Sequence, residues 1–356
     1  MSAFHIKGLD TLRAIAAVSV IIGHIELFKQ NNGISNLMKM PFFKNTGGHI
    51  GVVLFFVLSG FLITVLLLKE KKKHNTISLK AFYVRRILRV WPLYYLIILL
   101  SYLLTDFSPS ATTMALCFSI FPNIAHAIGA GWAVSPQIWS IGVEEQFYAF
   151  WPFVVKNGKR LLSKLILVFL FFTLLPHVIL FFMVRFYPNP EVMNLVNKIS
   201  YGTTFQCLAV GGVIGVIFST PEYIQKIKLK KWFAWVLMIL PFGLWYLGFS
   251  TQHFMDEIYA ILFGLTILLL TTTVQSSISE FSVAKFLGKI SYGLYMYHWL
   301  ILILIFKFDF IPQENVILYN VMLYGISLSA TIIVSTLSFY FIEMGFLNFK
   351  ERFSRV

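Results

Sequence analysis

The chain has 356 residues, 58% hydrophobic and only 12% charged, about half the charged share of a soluble domain, which excludes a soluble globular protein. A formal charge of +14 would fit a nucleic-acid binder, but in so apolar a chain Lys and Arg report topology, and no nucleic-acid partner is expected. The apolar runs are continuous and recur along the chain, which excludes an outer-membrane barrel of alternating ~10-residue strands and predicts an all-α, polytopic membrane helical bundle.

Ten segments are predicted to span: about 9–28, 48–68, 88–105, 137–155, 163–185, 201–219, 231–249, 254–274, 288–308 and 316–342. The first lacks a small-residue cleavage site and holds Arg13 and His24, so it is expected to stay in the protein. An ionisable residue near the centre of a span costs at least ~2.5–3.5 kcal/mol on insertion scales, so each needs a reason. Arg13 and His24 are 11 residues apart, close to three helical turns, which puts both on one face and about 16 Å apart in depth. Arg13 is either a lining residue or a snorkelling anchor, and His24 either a lining residue or an interhelical hydrogen-bonding group. Asp10 on the same face favours a polar lining.

In the second span the small residues of Gly51–Phe61 read as close helix packing. Arg86 and Arg89 at the start of the third are i,i+3, so they can converge on one anion, with positive-inside anchoring as the alternative. Anchoring is the reading for Lys69, Lys71, Lys72 and Lys73. Next comes Ala111–Ala125, short and containing Pro122 and Asn123, within a stretch from Val90 to Val155 that has no Lys or Arg. With the N-terminus cytoplasmic and this segment folded back, 22 basic residues fall inside and six outside, with Arg13 within a span. Were it to cross, Lys156–Lys164 and Lys226–Lys231 would move outside. The better solution is about ten spans, both termini cytoplasmic, and a non-crossing outer segment at about 106–136, surrounded by protein or lining a chamber.

The fourth span carries Glu144 and Glu145, whose side chains point about 100° apart, so at least one must enter a polar interior. Glu144 lies at a depth similar to His24, and a carboxylate beside an imidazole would orient its tautomer for general-base work. The alternative is a helix-locking hydrogen bond. In the ninth span His298 is either a lining residue or a satisfied core histidine. Cys117 and Cys207 have neither disulfide nor metal-site spacing, and no metal is expected.

Five stretches, taken together, resemble the acyltransferase 3 family, membrane enzymes that O-acylate cell-surface glycans. They are Gly8–Ala17 followed by His24; Gly51–Thr64; Phe82–Pro92; Trp139–Tyr148, similar to WSxxVEExFY; and Ile290–His298, similar to SYGxYxxH. The resemblance implies ten core helices in a single transmembrane acyltransferase domain over 1–356. It also implies an acyl-CoA donor, acetyl-CoA first, reached from the cytoplasm, and a hydroxyl of a glycan or lipid-linked glycan as acceptor on the other face. Membrane lipid is a further partner, and the bacterial inner membrane the expected location. His24, with Glu144 and Glu145, would be catalytic; Arg13, Arg86 and Arg89 would hold the donor; Asp10, Ser140, Tyr292 and His298 would line the site or touch substrate. The chain ends 14 residues after the last span, so no appended soluble domain is expected. Two other readings compete: a proton-coupled transporter or flippase using the same polar path, and a non-catalytic partner of a glycan polymerase. The acyl group, the acceptor and the oligomeric state stay open.

Overall fold

The structure, a computed structural model, describes residues 6–44, 48–158, 160–274, 281–308, 311–312 and 315–353. It is built of helices, with no strand among the described residues. In chain order they are α1 (Leu9–Asn31), α2 (His49–His74), α3 (Leu79–Leu104), α4 (Ala111–Phe118), α5 (Pro122–Ala127), α6 (Trp139–Lys156), α7 (Leu161–Phe186), α8 (Pro190–Tyr201), α9 (Phe205–Ser219), α10 (Lys231–Tyr246), α11 (Met255–Thr272), α12 (Ser282–Lys289), α13 (Ser291–Phe308), α14 (Val316–Ser338) and α15 (Met344–Glu351).

All ten predicted segments contain one of these long helices, and eight stretches are long and apolar enough to cross a membrane. The two others differ for identifiable reasons. Helix α10 has 16 residues, about 24 Å of rise, and α6 carries Glu144 and Glu145 in 18 residues. Helices α4 and α5 have eight and six residues, about 12 and 9 Å, so neither crosses ~30 Å of hydrocarbon, as the charge balance predicted.

Helix α2 is the centre of the bundle. Its apolar window is 78% buried, against 11% for α7 and 22% for the stretch from Val316 to Glu351. It packs on α1, α6, α9 and α11. The contact with α9 is backbone to backbone: a Cβ on Gly60 would stand 1.9 Å from the Leu208 carbonyl oxygen, and one on Gly211 would stand 2.1 Å from that of Val57. The glycines of the second span are therefore packing residues, and small side chains let two helices without a water-driven attraction gain close van der Waals contact.

The 106–136 segment folds onto the bundle through polar side chains, which give and accept hydrogen bonds on both sides of the contact, as an irregular segment beside a membrane requires. Tyr94 donates to the Cys117 carbonyl at 2.7 Å, and Trp132 donates to Ser101 at 2.8 Å. Asn123 and Gln146 exchange amide hydrogen bonds at 3.1 and 2.7 Å, and Asn123 also donates to the Gly202 carbonyl at 2.9 Å. Gly142 leaves room for the segment, since a Cβ there would lie 2.7 Å from the Pro122 ring.

Candidate active site

A cavity of about 560 Å³ lies between α1, α2, α3, α6, α13 and α15. Its wall holds five cations, Arg13, Arg85, Arg86, Arg89 and Lys350, and two carboxylates, Glu144 and Glu351. Apolar and aromatic side chains from α2, among them Phe55, Phe56 and Leu62, line much of the rest, and Ser140, Tyr292 and Tyr295 also reach it. The arrangement is charged around its basic side and thinly polar elsewhere.

Each cation is placed by its own helix. Arg13 is held by Asp10 one turn earlier, at 2.8 Å, on a helix running without a break from Leu9 to Asn31. Asp10 is not itself in the cavity wall, so of the lining residues expected it acts through Arg13. Arg86 and Arg89 both reach the cavity, as their i,i+3 spacing predicts. Arg86 lies near the rings of Phe82 and Tyr148, at 5.9 and 5.6 Å, and its Nε is buried with no hydrogen-bond partner among the described residues. The sequence reading passed over Arg85, which donates to Glu70 and to the Phe353 carbonyl, each at 2.8 Å. Fully buried Glu70 also accepts from the Ser78 backbone at 2.8 Å, so one carboxylate closes the α2–α3 hairpin and aims Arg85.

The two glutamates separate as adjacent helical residues must. Glu144 faces the cavity and accepts from Tyr148, one turn on, at 2.7 Å; the Tyr148 hydroxyl also touches Ser59. Glu145 turns to α3, where Trp91 donates to it at 2.9 Å, and it is not part of the cavity wall. This is the helix-locking bond that stood as the alternative for one member of the pair.

His24 corrects one expectation. Its partner is His298, not a glutamate: His24 Nδ1 and His298 Nε2 are 2.7 Å apart, with the ring planes within 3°. The rings lie side by side in a common plane. His298, fully buried, sets its other nitrogen 2.7 Å from the Tyr295 carbonyl oxygen. A carbonyl can only accept, so His298 Nδ1 carries a proton. In the neutral pair His298 Nε2 then accepts from His24 Nδ1–H, which leaves the lone pair on His24 Nε2. The pairing arises because α1 and α13 pack together, a contact between residues 274 positions apart that no spacing along the chain reveals.

Neither histidine is in the cavity wall; they stand behind Tyr295, which is. The Tyr295 hydroxyl meets Ser140 at 2.8 Å and the Gln137 carbonyl at 3.0 Å, and Gln137 donates to the Met296 carbonyl at 2.9 Å. Ser140 and Tyr292 therefore line the cavity as expected, with Tyr292 donating to the Val90 carbonyl at 2.8 Å. His298 instead connects Tyr295 to His24. Tyr148 and Tyr295, like Arg85, are lining residues beyond those expected; Tyr148 sits i+4 from Glu144, a spacing that flags it. No group of three His, Cys, Asp or Glu side chains among the described residues could hold a metal ion.

A family profile described as an acyltransferase domain matches residues 6–340, nearly the whole described bundle. The chain belongs to the acyltransferase 3 family. It is 28% identical to the peptidoglycan O-acetyltransferase OatA of Listeria monocytogenes, over 98% of this chain and 58% of that protein. It is 26% identical to a Staphylococcus aureus (strain COL) protein provisionally named an O-acetyltransferase, over 96% of this chain and 57% of that protein. A Bacillus subtilis protein provisionally named a peptidoglycan O-acetyltransferase is 26% identical over 98% of this chain and 56% of its own length. The chain thus spans little more than half the length of these relatives. No solved structure matches it.

Proposed function

We propose that this integral membrane protein is an O-acetyltransferase that takes an acetyl group from acyl-CoA and gives it to a hydroxyl of a glycan, with the cell-wall glycan as first candidate. The observation that carries the reading is the cavity itself. Its arginines suit phosphate, its apolar wall suits a slender pantetheine arm, and it ends against Tyr295, whose carbonyl holds the His298–His24 pair. Relatives named for O-acetyl transfer to peptidoglycan support the choice of acetyl and of a glycan.

The basic clusters converge on one end of the bundle. Lys71 donates to the Val155 and Lys156 carbonyls at 3.3 and 2.9 Å, and Arg85 reaches Phe353. The positive-inside rule assigns that end to the cytoplasm, with both termini there and the α4–α5 segment outside, in a bacterial inner membrane. Donor charge then stays at the cytoplasmic mouth while the thioester extends inward.

His24 Nε2, which stands behind Tyr295 and not in the cavity wall, is the general base once the acyl end of the donor has passed that ring. It takes the proton of the acceptor hydroxyl as that oxygen attacks the thioester carbonyl; the new C–O bond forms, the C–S bond breaks, and the proton passes to the departing CoA sulfur. His298 holds His24 in the tautomer that makes this possible and accepts a hydrogen bond from the imidazolium. Its neutral ring supports that charge less than a carboxylate would. Glu144, bound to Tyr148, lies along the donor path, and Glu145 fixes α6 against α3 so that Glu144 keeps its aim.

The deciding experiment uses purified protein in nanodiscs with acetyl-CoA and a muropeptide or glycan acceptor, and measures free CoA thiol and acetylated product together. Acceptor-dependent thiol release that needs His24 supports the reading. Absence of thiol release with any acyl-CoA, alongside substrate flux in liposomes, overturns it in favour of a transporter.

A further inference from the structure

Two of the five cavity cations have carboxylate partners, Arg13 with Asp10 and Arg85 with Glu70. Arg86, Arg89 and Lys350 have no ion pair among the described residues, although Glu351 stands beside Lys350 in the wall. Lys350 lies within electrostatic range of Arg85, Arg86 and Arg89. Five cations against the two wall carboxylates Glu144 and Glu351 leave an excess of positive charge, which a polyanion in the cavity would neutralise.

The fold places Lys350 there deliberately. After Ser338 the helix widens into one π turn, Phe339–Glu343, before α15 begins. Such turns interrupt α-helices mostly where function requires a redirected chain. Here α15 comes to lie on α3, the helix of the arginine pair. The turn is held from outside by Lys289, 4.8 Å from the Phe339 ring and 5.6 Å from that of Tyr340. Beyond α15, Arg85 fastens the Phe353 carbonyl to α3. Half-buried Lys350 is thus fixed between two ties, on the side of the cavity facing Arg86 and Arg89.

We propose that α15 is a wall of the donor site and that Lys350, with Arg86 and Arg89, binds the phosphates of the acyl-CoA nucleotide end. The proposal rests on the acyl-CoA reading above and adds a residue and an element to it. CoA carries a diphosphate and a further ribose phosphate, more charge than an arginine pair neutralises, and the third cation makes the site selective for the fully phosphorylated donor. The lysine adds a point charge where the arginines add directed forks.

The test compares acetyl-CoA with acetyl-dephospho-CoA by thiol release. Lys350→Gln should raise the KM for acetyl-CoA about tenfold, with the effect on KM rather than kcat, and should flatten the preference between the two donors; Lys350→Arg should restore both. A second measurement needs no variant: an amine-acetylating reagent followed by peptide mass spectrometry, with and without CoA. CoA should protect Lys350 and leave the exposed Lys72 and Lys73 reactive. Wild-type KM and donor preference in Lys350→Gln, with unprotected Lys350, would overturn the proposal. If Arg86→Gln/Arg89→Gln still lost donor binding in that case, the donor reading would stand without it. Neither protection nor thiol release in the wild type would remove both.

Discussion

Replacing His298 separates its role from that of the proposed base, His24, that it holds. His24→Ala removes the lone pair that accepts the hydroxyl proton, so transfer should fall by about 10²–10⁴-fold while CoA binding survives. His298→Ala leaves that lone pair in place but lets the ring rotate and the tautomers mix. Its loss should be smaller and fall on kcat. A glutamine amide can donate to the Tyr295 carbonyl and accept from His24, so His298→Gln should recover part of the rate. Steady-state kinetics with thiol detection checks the order wild type, Gln, Ala; equal activity of His298→Ala and wild type would remove His298 from the mechanism. Trapping an acetyl group on His24 would replace the general-base route with a covalent one. At the donor end, Arg86→Gln/Arg89→Gln should weaken acyl-CoA binding and change its salt dependence far more than Lys71→Gln/Lys72→Gln, since the first pair faces the cavity and Lys71 caps backbone carbonyls.

Helix α2 and the α4–α5 segment are the elements on which the site depends. Gly60→Ala would drive a methyl into the Leu208 carbonyl and force α2 from α9, so folded yield in detergent should drop sharply. Gly243 has open space at its Cβ and serves as the control, with Gly243→Ala expected to be tolerated. Asn123→Ala strands the buried Gly202 carbonyl and removes two hydrogen bonds from the half-buried Gln146 amide, and should cost about 1–3 kcal/mol, read as a lower melting temperature. Cys117 and Cys207 are fully buried, so neither should react with maleimide in the folded protein. Burial pushes the Cys117 thiol up to about 11, which further suppresses its thiolate. Labelling of Cys117 would show that the segment does not dock as described.

For the whole molecule the prediction is topological. A reporter after Leu68 or Val155 should read cytoplasmic, and reporters between Thr105 and Pro136 should read external throughout. Opposite readings on the two sides of Ala111–Ala125 would restore an eleventh crossing and put Lys156–Lys164 and Lys226–Lys231 outside, against the positive-inside rule. The position of α2 explains why the glycine-rich second span matters to a site it barely supplies with polar groups. It is the post on which α1, α6 and α9 are registered, and so it aligns Arg13, Ser59 and Glu144 on one cavity.

Much of this was legible along the chain because a membrane imposes strict local rules. Apolar runs must be helices, Lys and Arg sort by side, and an intramembrane charge must face inward, so the spans, the folded-back segment and the candidates Arg13, Arg86, Arg89 and Glu144 followed from residue type and spacing. Periodicity also told that Glu144 and Glu145 must diverge, but not which would face the cavity. Which side chains meet was decided only by helix packing. His24 found His298 through the α1–α13 contact, Glu145 found Trp91 across α3 and α6, and Lys350, beyond the π turn, came to line the same cavity as the arginines. Depth in the membrane is set by counting residues from a helix end, whereas azimuth toward a particular neighbour depends on how side chains of several helices interlock. That second coordinate exists only in the assembled bundle.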